Sequence, residues 1–80
     1  MREVVLPSGR FASMRPVLAL DILLSFTKDF PNVGLMERTV TIDGERLTYE
    51  QYLAMDAVEF MPILGMVAEA TKGLSLKGIV

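Results

Sequence analysis

Three groups of polar residues in this chain have the types and spacing that chemistry uses. Ser8-Gly9-Arg10 places a hydroxyl, backbone N–H groups and a guanidinium side by side, which could cradle an anion. A phosphate loop needs the longer Gly-x-x-x-x-Gly-Lys frame, which is missing, so the segment reads as a turn. Asp43 and Glu45 flank Gly44, with Glu50 nearby, like a fragment of a calcium loop. Such a loop alternates oxygen ligands over about twelve residues, whereas the next positions here are Arg46 and Leu47. Asp56 and Glu59 could share acid–base work, but their spacing is also that of a helix cap. The chain has no Cys, His or Trp. Imidazole and thiolate ligands, a Cys nucleophile and a disulfide framework are therefore excluded. No metal, cofactor or enzymatic activity is expected.

The apolar residues are more informative. Met55, Met61 and Met66 cluster with Phe60, Ile63, Leu64 and Val67, and residues 57–68 carry only one charge, Glu59. Methionine is common on surfaces that accept several apolar helices. Phe60, Met61, Ile63, Leu64 and Met66 are accordingly the expected partner contacts, with core packing as the competing explanation. The whole chain is oily: 51% of its 80 residues are hydrophobic, and its mean hydropathy is +0.41. That composition excludes disorder over most of the length. It also exceeds what a small monomer can readily hide, so a homo-oligomer is a second expectation.

The elements follow from local chemistry. Residues 2–6 and 10–15 favour strand and flank Pro7-Ser8-Gly9, so they predict an N-terminal β-hairpin. Pro16 is suited to open a helix. Apart from Thr27, the polar positions of residues 17–28 are Asp21, Ser25 and Lys28, which share one narrow stripe. A helix patterned this way is buried on most of its circumference: either it is the central element, or part of its surface meets another chain. Residues 29–34 read as a breaker, because the residue before Pro31 avoids the helical region. Within residues 35–42, Thr39, Val40, Thr41 and Ile42 favour strand, and Asp43-Gly44 with Glu45-Arg46-Leu47 returning predicts a short second hairpin. Thr48-Tyr49-Glu50-Gln51 has the form of a capping box and starts a helix over 49–55. Asp56-Ala57-Val58-Glu59 repeats that logic for a last helix over 57–71, where Pro62 should introduce a kink or shift the start. The fold class is α+β: N-terminal β-hairpin, buried central helix, short second β-hairpin, two C-terminal helices. Residues 1–72 form one domain, and residues 73–80, with two glycines, read as a flexible tail.

Charge narrows the partners. Residues 29–69 hold two arginines against eight acids, between ends with a small basic excess. Nucleic-acid binders show a basic stripe, and none is visible. The longest nearly uncharged runs fall short of the ~20 residues a membrane span needs, and the N-terminus has no signal-peptide pattern. No nucleic-acid or membrane partner is expected, and the cytoplasm is the expected location.

Three segments together resemble the phage tail assembly chaperones of Mu-like tailed phages and prophages. They are Val5-Leu6-Pro7-Ser8-Gly9-Arg10 with Met14-Arg15-Pro16; Ile42-Asp43-Gly44-Glu45-Arg46-Leu47-Thr48-Tyr49-Glu50; and Leu53-Ala54-Met55-Asp56 with the amphipathic run to Val67. The resemblance covers roughly residues 4–70, and Pro62 departs from it. It implies a non-enzymatic protein that binds the helical tape measure protein, and by extension tail tube subunits, in the bacterial host cytoplasm. It also implies that the reading frame can be extended by ribosomal frameshifting near its end. The competing expectations are a structural component of a tail or baseplate, and a homo-oligomeric adapter unrelated to phage.

Overall fold

The computed structural model describes residues 2–72. β1 (Arg2–Val5) and β2 (Phe11–Met14) pair antiparallel, with Arg2 opposite Met14 and Val5 opposite Phe11. Gly9 closes their turn at φ 89°, a left-handed conformation that side chains disfavour. Leu6 and Arg10 are tied across it by a 2.8 Å backbone hydrogen bond. β3 (Val40–Ile42) adds to the other side of β2, with Ala12 opposite Ile42 and Met14 opposite Val40. The sheet order is therefore β1-β2-β3. Ala12, Met14, Val40 and Ile42 alternate onto the inner face and are buried, as the period of two requires.

Four helices complete the α+β fold: α1 (Ala19–Ser25), α2 (Pro31–Thr39), α3 (Tyr49–Leu53) and α4 (Ala57–Thr71). The N-terminal hairpin and the two C-terminal helices stand where the sequence places them. Thr48 caps α3 by accepting from Gln51 N–H at 3.1 Å, and the Gln51 side chain accepts from Thr48 N–H at 2.8 Å. Asp56 caps α4 by accepting from Val58 N–H at 2.8 Å. α4 runs unbroken through Pro62; a proline there forgoes one hydrogen bond, to the Val58 carbonyl.

The middle of the chain differs from its reading. Pro31, not Pro16, opens a helix: it stands at the first position of α2, after extended Phe30. Residues 31–39, with 31–34 read as a breaker and Thr39 as strand, are helical, and Val40–Ile42 is strand as expected. Pro16 and Val17 lie ahead of α1, and Leu18 is its N-cap. Both prolines satisfy the N1 rule locally; tertiary packing chooses between them. The second hairpin is reduced to its turn. Asp43 and Gly44 take φ values of 51° and 84°, and a single bridge joins Ile42 to Glu45. β3 finds its lasting partner in β2. Asp43 extends that ladder, accepting from Phe11 N–H at 2.8 Å and donating its own N–H to Phe11 O at 2.7 Å.

α2 is the central helix, touching α1, α3, α4 and β3. Its Val33, Leu35 and Met36 join Leu6, Ile63, Val67, Tyr49 and Tyr52 and the inner sheet residues in one core. Residues 73–80, read as a tail, lie outside the described residues.

Candidate partner-binding face

The site begins with a buried carboxylate. Asp21 is 0% exposed, and its oxygens accept from Arg15 Nη1 and Nη2 at 2.8 and 2.9 Å, from Arg38 Nε at 2.8 Å and from Leu18 N–H at 2.8 Å. Arg15 leaves the end of β2 and Arg38 the last turn of α2, so one carboxylate joins sheet, α1 and α2. The paired Arg15 hydrogen bonds, helped by Leu18 N–H and Arg38, hold the Asp21 carboxyl well below the usual carboxylate range against the opposing effect of burial. One turn on, Ser25 is also buried and satisfies itself by donating to Ile22 O at 2.7 Å. It packs where α1 meets Gly34 of α2. A Cβ at Gly34 would lie 3.2 Å from Ser25 Cα, so the two helices meet through small residues.

This contact leaves α1 less buried than a central helix would be. Asp21 and Ser25 face inward, because Asp21 has two arginines to meet and Ser25 is small, while Lys28 lies beyond the helix and is exposed. The leucines are left outside. Leu20, Leu23 and Leu24, at i, i+3 and i+4, form a ridge, flanked by Leu18, Phe26 and Phe30; all six are between 42 and 63% exposed. Beside the ridge lies a concave groove of about 440 Å³ lined by Phe26, Phe30, Pro31, Asn32, Val33, Phe60 and Leu64. A second hollow of about 280 Å³, lined by Phe30, Val33, Tyr52, Leu53, Met55, Ala57 and Phe60, continues it, since Phe30, Val33 and Phe60 border both. No charged residue lines either.

The five expected contact residues divide. Phe60 and Leu64 line the groove and are half-buried. Met61 is 59% exposed. Ile63 and Met66 are buried in the core, so each side chain is already occupied within the monomer. Met61 and Met66 therefore sit in different environments on α4, one exposed and one buried. The groove residues that the sequence reading missed are Phe26, Phe30 and Val33. The available signal was Arg15 and Arg38, two arginines near an apolar helix whose only acid is Asp21.

The polar groups are used structurally. Ser8 donates both its N–H, at 2.9 Å, and its hydroxyl to the Glu59 carboxylate. Glu59 therefore ties the hairpin turn to α4 instead of closing a reciprocal cap with Asp56. Asp43 spends its carboxylate on Phe11 N–H, with Arg10 at 3.8 Å. Glu50 is exposed in the first turn of α3. Glu37 accepts from Tyr49 N–H at 3.0 Å, and Arg46 donates to the Glu37 and Arg38 carbonyls at the end of α2, where cations suit the helix dipole. Among the described residues, no group of three or more acids is placed to hold a metal ion, and no helix is long and apolar enough to cross a membrane.

Compared with known families, curated proteins and solved structures, the chain matches none.

Proposed function

We propose that this protein is a non-enzymatic binding module that covers an apolar helical stripe of another protein. The observation that carries this reading is the uncharged groove between the α1–α2 turn and α4, walled by Phe26, Phe30, Phe60 and Leu64. An amphipathic helix laid in an apolar groove is a recurrent recognition mode, anchored at i, i+3 or i+4, and i+7. Aromatic walls supply large contact area at small entropic cost. The acidic balance of the chain, −2 overall, keeps a complex with an oily client dispersed.

The resemblance to tail assembly chaperones supplies the client class. The client is a tape measure protein, with tail tube subunits as an extension, held soluble in the bacterial cytoplasm until the tail assembles. A tape measure exposes apolar helical stripes until a tube encloses it, and a mostly apolar groove without charges tolerates many such sequences. The test is co-expression of this chain with the long helical tail protein of its source genome. The client should be soluble and co-purify with the wild-type chain, and should be lost to the pellet with Phe30→Asp. A client equally soluble with and without this chain would end the chaperone reading. Recovery of the chain in finished particles would assign it instead to the tail structure.

A further inference from the structure

The convex ridge of α1 is a different surface from the groove. We infer that it is the interface of a symmetric homodimer, two copies packing α1 against α1 about a two-fold axis. Three observations meet here.

The first is area. Leu18, Leu20, Leu23 and Leu24 are 59, 55, 63 and 42% exposed. Each leaves on the order of 100 Å² in water, roughly 400 Å² in all, close to the ~450 Å² of apolar surface that each partner brings to a standard-size interface of ~800 Å² per partner. The second is charge. Between Arg15 and Lys28 the only ionisable residue is Asp21, and it is buried against Arg15 and Arg38. Nothing on the ridge repels an identical ridge or selects a charged partner. The third is shape. Ala19 is exposed one turn before Leu23, so it offers a hole beside the Leu23 knob. An isologous contact needs such a self-complementary surface, and rows at i±4 interdigitate in this way.

The dimer stands apart from client binding, because the groove lies beside the ridge. It is tested on the full chain alone by sedimentation equilibrium from 1 to 200 µM. The expected mass at high concentration is twice 8.9 kDa. Leu23→Asp should weaken dimerisation at least tenfold with an unchanged circular dichroism spectrum, and Leu53→Asp, in the second hollow, should leave it intact. The chain has no cysteine, so Leu23→Cys gives an independent readout that does not depend on a charged substitution. Mild oxidation should join two copies through position 23 but not through Ser8→Cys. A chain that stays monomeric at 200 µM, or a dimer indifferent to Leu23→Asp and uncrosslinked at position 23, would overturn the inference. Loss of client binding on Phe30→Asp with the dimer intact would separate the two surfaces.

Discussion

Asp21 decides which way α1 faces. Asp21→Ala and Asp21→Asn remove the carboxylate that joins sheet, α1 and α2 and leave Arg15 and Arg38 without it, so they act on the whole domain. Both arginines still reach solvent, with side chains 39 and 31% exposed, and can rehydrate when left alone. The expected loss for Asp21→Ala is about 3 kcal/mol, at the low end for a broken buried pair, read by urea denaturation. The Asp21 carboxyl is held low in the folded chain, so its stabilisation is complete above the unfolded value near ~4 and fades as pH falls below that. The acid limb of the stability profile should therefore flatten in Asp21→Asn. Tyr52 is the opposite case. Its hydroxyl is buried with no hydrogen-bond partner among the described residues. Burial, the largest influence, pushes the phenol up to about 12. Tyr52→Phe removes an unpaid desolvation and should stabilise by about 1 kcal/mol, raising Tm by roughly 4–8 °C. It should also remove the loss of stability that the wild type shows as pH rises from about 10 toward 12.

Helix packing explains why the ends of the chain could be read and the middle could not. Pro7-Ser8-Gly9, the Thr48–Gln51 box and Asp56 act on their own neighbours, so local rules find the hairpin, α3 and α4. α1 and α2 depend on distant residues. The apolar count of residues 17–28 pointed its leucines inward, because periodicity alone ignores that Arg15 and Arg38 converge on Asp21. The run Pro31–Thr39 opens like a breaker and leads into the β-branched Thr39–Ile42, yet Val33, Leu35 and Met36 have a core to fill only as a helix. Two glycines test this packing. Gly34→Ala would press a methyl against Ser25 Cα and Lys28 Cγ, both at 3.2 Å. It should destabilise by about 1 kcal/mol, overpacking outweighing the gain in helix propensity. Gly65→Ala meets nothing within 4 Å on an exposed turn of α4, and should stabilise by ~1 kcal/mol. Thermal unfolding of the two variants gives opposite signs.

For the molecule as a whole, the oily composition goes with an apolar groove left open on the surface, and two residues of the methionine-rich cluster line it. Phe60 and Leu64 lie in the groove, while the rest of its wall comes from Phe26, Phe30 and Val33, which sequence proximity to α4 could not reveal. Folding brings residues thirty positions apart into one depression. The exposed aromatic at its centre should behave as an interface anchor: Phe30→Ala is expected to weaken client binding about tenfold or more, measured by calorimetry, with the fold unchanged. The most direct measurement is hydrogen exchange on this chain, free and bound to its helical client. New protection should appear over residues 26–34 and 58–64, the two walls of the groove. Protection confined to the sheet edge at 40–45, or to the Ser8 turn, would contradict groove binding and move the partner to another face.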